Sequence, residues 1–200
     1  MYKHINHIYI YYYIYRSWFI MDRLVEKHLP ILYKHLQKEN IVPSMYVTEW
    51  VVTFYTRSFP FNFVVRVWDI FLHEKHWKVF YRIALALLKY FQHEFINSNF
   101  EQIMTLFRSI PLKVSDGKNE KKNNKNYLKK SISSPPPNVV EEDEERDDDS
   151  SFTSRDEKEQ VADDIINVGL KIKIKRRDID ELIRYYNNDK NGDHIKKKYL

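Results

Sequence analysis

Two histidines and a carboxylate lie close together in the middle of the chain, and residues of these types can bind a metal ion. His73 and His76 are three residues apart, with Glu74 between them. Zinc sites in proteins use three or four ligands in a fixed geometry, and two histidines without a nearby third ligand do not make that pattern. We therefore predict that this stretch is a polar connection between two helices.

A second group of oxygen ligands stands near the C-terminus, where Asp189, Asn191 and Asp193 alternate along the chain. This spacing resembles a degenerate EF-hand loop. However, the loop is too short at the glycine position, because Gly192 precedes Asp193 instead of following it, and the glutamate that closes such a loop on calcium is missing. Three lysines at 196–198 would repel a cation. The sequence therefore predicts no metal site and no cofactor. If the chain does bind calcium, Asp189, Asn191 and Asp193 are the candidate ligands.

Several other kinds of chemistry are excluded by what the sequence lacks. The chain has no cysteine, which rules out disulfides, thiolate nucleophiles and cysteine zinc sites. It has no Gly-x-Ser-x-Gly elbow for a serine nucleophile and no glycine-rich phosphate loop, so we predict that it is not itself a hydrolase, kinase or GTPase. The net charge of +5 is spread among acidic runs, which predicts no nucleic-acid partner.

The elements that position these residues are predicted to be helices. Glycine occurs only 3 times, which disfavours a fold built on tight β-turns. Apolar residues recur instead at helical spacing. We expect Asp22 to cap the first helix, Pro30 to break it near Leu29, Pro60 to begin the third and Pro111 to end the fifth. The five predicted helices cover about 22–38, 44–57, 60–72, 77–96 and 99–111.

The flanks of this helical region differ from it in composition. Residues 1–21 are aromatic and lack the aliphatic run and small-residue cleavage site of a signal peptide, and charged residues interrupt them too often for a membrane span. Residues 113–158 are rich in Lys, Asn, Pro and acidic side chains, which predicts a disordered linker. Residues 159–200 are predicted to form a short helical segment, with strand-like alternation at Leu170, Ile172 and Ile174.

Three ordered stretches of the helical region resemble one family. The segment from Glu49 to Phe61 resembles the W-x-x-T-x-F-(x)-P motif of the TBC family, whose domains activate Rab GTPases, and Arg66-Val67-Trp68-Asp69 resembles its R-hydrophobic-W-D signature. The stretch 78–88 is similar to the buried helix that follows. The resemblance implies an all-α fold in which residues 22–111 form the C-terminal half of a TBC-type bundle. The residues that carry it, predicted to be structural, are Trp50, Thr53, Phe54, Pro60, Arg66, Trp68 and Asp69.

Physical arguments assign a structural role to four of these residues. Trp50 and Trp68 are large apolar anchors on successive helices, and both are expected in the core. Arg66 and Asp69 stand three apart on one helix and are expected to pair or to cap neighbouring backbone. Asp69, which lies between two apolar residues, is expected to border the core and to satisfy a buried donor.

The family resemblance also implies a function. TBC domains supply an arginine from an I-x-x-D-x-x-R motif and a glutamine from a Y-x-Q-G-M motif to the GTPase, and neither motif occurs in this sequence. The sequence therefore predicts a partial domain without catalytic residues of its own, whose partner is a Rab-class GTPase. The alternative is a non-catalytic module that binds a GTPase or another partner. A cytoplasmic location is expected, with peripheral association with endomembranes left open. A partial domain should also leave the predicted fourth helix incompletely packed and the chain marginally stable.

Overall fold

The computed structural model describes residues 2–116 and 153–188, and within those two ranges all regular structure is helical. The predicted all-α class is therefore correct. Nine α-helices lie in these ranges, with one 3-10 turn at Pro43–Met45 between the second and the third. The helices are α1 (Tyr2–His28), α2 (Pro30–Lys38), α3 (Val47–Thr53), α4 (Phe61–Glu74), α5 (Lys78–Tyr90), α6 (Gln92–Ile96), α7 (Phe100–Asp116), α8 (Thr153–Lys171) and α9 (Arg176–Asn188).

The first helix packs at the centre of the bundle, against α2, α3, α5 and α9. The predicted start at Asp22 is wrong, because α1 already runs from Tyr2 and Asp22 is buried in its interior. Two rings of the aromatic N-terminal stretch pack on α9, since Tyr12 and Phe19 both contact Tyr186. The predicted break is correct: α1 ends at His28, and α2 begins at Pro30. No described helix has the length and apolar character needed to cross a membrane.

The second predicted helix is shorter than its apolar spacing suggests. It begins with the 3-10 turn, and α3 stops at Thr53 because Phe54 and Tyr55 both have left-handed backbone conformations, with φ of 46° and 69°. Residues other than glycine rarely adopt this region, and here buried rings hold the pair in place. The third helix begins as predicted, with Pro60 directly before the first turn of α4.

The fourth and fifth predicted helices differ from expectation at their ends. The fourth divides at Phe91 into α5 and α6. The fifth has the predicted capping box, in which the amide of Gln102 donates to the side chain of Asn99 and the amide of Asn99 donates to the side chain of Gln102, both over 3.0 Å. Pro111 does not end α7, which continues to Asp116 because Val114 packs in the core beyond it.

The C-terminal segment forms two helices that belong to the bundle. The predicted strand-like alternation is wrong: Leu170 lies in α8, and Ile172 and Ile174 lie in the irregular connection to α9. The amide of Lys175 donates to Asp178 over 3.0 Å, which starts α9. The predicted linker at 113–158 is helical at both ends, over 113–116 and 153–158, and its remainder lies outside the described residues.

α5 is the most completely buried helix of the described bundle, and α8 covers it. The buried side chains of α8 that face the core include Val161, Ala162, Ile165 and Ile166. Nine of the thirteen residues of α5 are buried, so the expectation that this helix lacks part of its packing is wrong. The helix that covers α5 is α8, which is distant from it in sequence. The apolar spacing within α5 alone does not reveal this contact.

Candidate functional site

The first family-motif residue, Trp50, lies in the core as predicted, with 4% of its surface exposed. Its ring contacts Tyr46, Tyr55, Phe59 and Phe107 at centroid distances of 5.9 to 6.3 Å. Aromatic pairs at such distances contribute beyond the burial of their area. Trp50 is therefore placed to join α3 to α7 and to the chain before α4.

The end of α3 presents Phe54 to a second aromatic cluster. The hydroxyl of Thr53 donates to the carbonyl oxygen of Glu49 over 2.8 Å, within the last turn of the helix. The left-handed Phe54 then turns its ring toward a cluster on α4 and at the start of α5. Its ring partners, at 4.7 to 5.9 Å, are Trp68, Phe71, Trp77 and Phe80. These contacts fix the connection from α3 to α4.

Two predictions for α4 are wrong. Trp68 is 37% exposed, although it contacts Phe54, and Asp69 lies at the surface and does not border the core. Arg66 forms an ion pair with Asp163 of α8, so the expected pairing with Asp69 is replaced by a contact between helices. The reason is rotational: Phe63, Val64 and Val67 turn inward, which directs the Trp68 and Asp69 side of α4 toward solvent.

The outward side of α4 carries an apolar stripe that the sequence analysis missed. Phe61, Val65, Trp68 and Leu72 are 79%, 37%, 37% and 58% exposed, and they follow one another at helical spacing. We call these four residues the α4 stripe. Contiguous exposed apolar surface on a folded protein marks sites of interaction. The spacing was visible in the sequence, but it also fits a helix that is buried on both sides.

A groove lies on the bundle where α1 meets α3, α5 and α9. It encloses about 280 Å³. Arg16 is one of its lining residues, and the central carbon of its guanidinium lies 5.4 and 4.6 Å from the ring centroids of Tyr12 and Tyr13. We call this feature the α1 groove. Its lining residues are Ile10, Tyr13, Ile14, Arg16, Ser17, Val51, Val52, Trp77, Tyr81 and Ile183.

The floor of the α1 groove contains two hydroxyl groups that already have partners. The Ser17 hydroxyl donates to the carbonyl oxygen of Tyr13 over 2.8 Å, and the Tyr81 hydroxyl donates to Ser17 over 3.4 Å. Burial raises the pKa of Tyr81 to about 12, so its hydroxyl stays protonated at neutral pH. Arg16 is consequently the charged group that the groove offers to a ligand.

The residues around His73 and Glu74 form ion pairs between helices. Glu74 lies 2.6 Å from the Lys78 ammonium and 2.8 Å from the Arg82 guanidinium. Burial opposes the charge on Glu74, but the hydrogen bond from Lys78 and the charge of Arg82 outweigh it and lower the pKa of this carboxyl. His76 accepts the amide proton of Lys78 over 3.0 Å. This is a structural network at the start of α5.

No cluster of three or more metal-ligand side chains occurs in the described ranges 2–116 and 153–188. The calcium candidates Asp189, Asn191 and Asp193 lie outside those ranges. The prediction about calcium therefore stays a prediction.

The sequence that builds α1 to α6 is similar to a known domain family. Residues 1–96 match the Rab-GTPase-TBC domain family. The matched segment includes the aromatic N-terminal stretch as well as the motifs around Trp50 and Arg66. It ends before α7, and therefore before α8 and α9.

Individual relatives match stretches of comparable length. TBC1 domain family member 14 of Bos taurus is 33% identical over 86 residues, which is 43% of this chain and 12% of that protein. Drainin of Dictyostelium discoideum is 31% identical over 99 residues, 49% of this chain and 22% of that protein. GTPase-activating protein GYP5 of Saccharomyces cerevisiae is 33% identical over 87 residues, 44% of this chain and 10% of that protein. The matched region thus spans under a quarter of each of these relatives.

Proposed function

We propose that this chain takes part in the regulation of Rab GTPases and that its own contribution is to bind the GTPase through the α4 stripe. One observation carries the proposal: a segment of the Rab-GTPase-TBC family exposes four apolar side chains in a row on one helix. Arg66 lies beside the stripe, as does the exposed carboxylate of Asp69, and together they would give the apolar contact a polar border.

Binding is favoured over catalysis because Arg66 and Arg82, the arginines of α4 and α5, already have partners within the bundle. An arginine that assists GTP hydrolysis must reach the transferred phosphoryl group. Arg66 is engaged by Asp163, and Arg82 is held by Glu74 and by two carbonyl oxygens of α8. The 200-residue sequence also lacks both motifs in which TBC domains carry their arginine and glutamine. A complete GTPase activator that contains this segment remains the alternative function.

The binding proposal is tested with a panel of Rab GTPases loaded with a non-hydrolysable GTP analogue. The 200-residue chain should bind at least one member, and Val65→Asp or Leu72→Asp should weaken that binding at least tenfold, because each places a charge on the apolar contact. Leu112→Asp is the matched control, since Leu112 is 65% exposed on α7. No binding across the panel, or equal weakening by the control, would contradict the proposal.

Catalysis is tested on the same proteins by single-turnover GTP hydrolysis. We expect the intrinsic rate of the bound Rab to remain unchanged when this chain is added. Acceleration would show that the chain supplies catalytic groups and would replace the binding proposal by the activator alternative.

Location follows from the partner in this proposal. A cytoplasmic chain that binds a lipid-anchored Rab would be recruited to endomembranes through the GTPase. Cell fractionation should find the wild-type chain partly with membranes and the Leu72→Asp variant in the cytosol. If both chains were recovered equally with membranes, membrane association would not depend on the α4 stripe, which would contradict this part of the proposal.

A further inference from the structure

The α1 groove has the size and shape of a small-molecule site and has no assigned occupant. Its volume of about 280 Å³ is near the lower end of the range in which ligand pockets occur. Side chains from four helices converge on it, so its walls are held by the packing of the bundle rather than by a loop. Ligand sites between helices of a bundle are built in this way.

The lining combines apolar walls with one cationic group. Ile14, Val51 and Ile183 supply aliphatic surface, and Trp77 supplies an aromatic face. Arg16 is partly buried, and no carboxylate among the side chains that the structure describes forms an ion pair with it. Its guanidinium stacks on two tyrosine rings, which leaves its N–H edge available for hydrogen bonds.

The polar groups on the floor limit the kind of ligand. The hydroxyls of Ser17 and Tyr81 are used in hydrogen bonds within the protein. A sugar or a nucleotide would need several polar partners, and those are not presented here. A ligand with an apolar body and one anionic end would match both the apolar walls and the positive charge of the Arg16 guanidinium.

We propose that the α1 groove binds a free amphipathic carboxylate, whose hydrocarbon chain lies between α1 and α3 and whose carboxylate pairs with Arg16. None of the residues that line the groove belongs to the α4 stripe. The proposal is therefore independent of GTPase binding, and either one can fail without the other.

The test measures the binding of three amphiphiles with ten-carbon chains to the full 200-residue chain, at concentrations below the limit of solubility or micelle formation of each. Decanoate, decanol and decyltrimethylammonium share the hydrocarbon and differ in charge. By isothermal titration calorimetry we expect saturable binding of decanoate, roughly tenfold tighter than that of decanol, because a hydrogen bond to a charged group is worth about this factor. The cationic amphiphile should bind most weakly. Equal affinity for all three, or no saturable binding of decanoate, would overturn the proposal.

Two variants assign the charge preference to the groove. Arg16→Gln should reduce decanoate binding to the level of decanol and leave decanol binding unchanged. The control is Arg23→Gln, which removes an arginine of the same helix that stacks on Phe19 and does not line the groove. Loss of decanoate binding in the control as well would indicate a general charge effect and would contradict the assignment.

A third variant guards against loss of folding as the explanation. Val52 lines the groove and is 59% exposed, so Val52→Glu should fold and should place a carboxylate at the mouth. We expect it to bind decyltrimethylammonium more tightly than decanoate, the reverse of the wild-type order, whereas Val52→Gln should keep the wild-type order. One further outcome would contradict the proposal: the wild-type chain dimerises, Val52→Glu abolishes the dimer, and no amphiphile binds. The groove would then be an interface between two copies of the chain.

Discussion

Arg82 of α5 donates a hydrogen bond to the carbonyl oxygen of Gly169 at the end of α8, with Nε 3.1 Å from the oxygen. A second nitrogen of the same guanidinium donates to the carbonyl oxygen of Leu170 over 2.9 Å. The last carbonyls of a helix lack partners within the helix and carry partial negative charge. One side chain thus supplies the C-terminal cap of α8 and also pairs with Glu74 near the end of α4.

We expect Arg82→Met to lower the free energy of unfolding by about 2–4 kcal/mol, because it leaves two helix-end carbonyls and Glu74 without this donor. Urea unfolding followed by circular dichroism measures the change. Lys78→Met is the control, since it removes only a contact to Glu74 and should cost less. A smaller effect for Arg82→Met than for Lys78→Met would contradict the capping role.

Gly169 permits the close approach of α8 to α5. A Cβ atom at this position would lie 3.1 Å from the terminal methyl of Ile83 and 3.4 Å from Ala86. Gly169→Ala should change stability little, since the end of the Ile83 side chain can move and alanine favours the helix by about 1 kcal/mol. Gly169→Leu should destabilise by about 1–3 kcal/mol through overpacking. Thermal unfolding of both variants checks the order, and equal effects would contradict it.

The burial of Ile165 makes α8 part of the core. Ile165→Ala should cost about 2–5 kcal/mol, which is the range for truncating a fully buried isoleucine. The control is Leu170→Ala in the same helix, which is 46% exposed and should cost under about 1 kcal/mol. Similar small costs at both positions in urea unfolding would indicate that α8 does not pack on the bundle in solution.

Glu74 should make stability depend on pH in the acidic range. Its pKa is lower in the folded protein than in the unfolded chain, so the folded state binds fewer protons and gains stability above the unfolded value. That contribution is present above about pH 4.5 and is lost as the pH falls through the folded pKa. Unfolding of wild type and Glu74→Gln at pH 7 and pH 3 should show a difference that shrinks on acidification. A constant difference would contradict the ion-pair assignment.

The Tyr55 hydroxyl donates to the carbonyl oxygen of Phe80 over 2.9 Å inside the core. Tyr55→Phe should cost about 1–2 kcal/mol, because the donor is lost while the ring is kept. Burial raises the pKa of this hydroxyl, so the bond should persist at pH 9 and the cost should be the same there. Urea unfolding at pH 7 and pH 9 provides the comparison. A smaller cost at pH 9 would mean that the hydroxyl ionises.

Local patterns in the sequence account for much of the fold. The helix starts at Pro30, at Pro60 and at the Asn99–Gln102 capping box could be predicted because each depends only on backbone conformation or hydrogen bonds within one turn. Apolar spacing located the cores of α4 and α5, but not which side of α4 faces solvent, since that depends on Asp163 and its neighbours in α8. Pro111 does not end α7, because the core packing of Val114 outweighs the local effect of the proline on the backbone.

The candidate sites were harder to predict than the helices. The α1 groove is formed by residues as distant in sequence as Ile10 and Ile183, and no spacing rule relates them. The family motif identified Trp50 and Trp68 together, yet one lies in the core and the other at the surface. A motif records residue types in order, whereas exposure is decided by the elements that pack around them.

The cover that α8 places on α5 has a consequence for synthesis of the chain. Arg82 and Gly169 are separated by 87 positions, and at roughly 5–20 residues per second the second is made about 4–17 seconds after the first. During that interval α5 has been synthesised but α8 has not, so the apolar surface of α5 that α8 later buries is exposed. The nascent chain therefore passes through a period in which it offers a binding surface to chaperones, and this period ends when α8 docks.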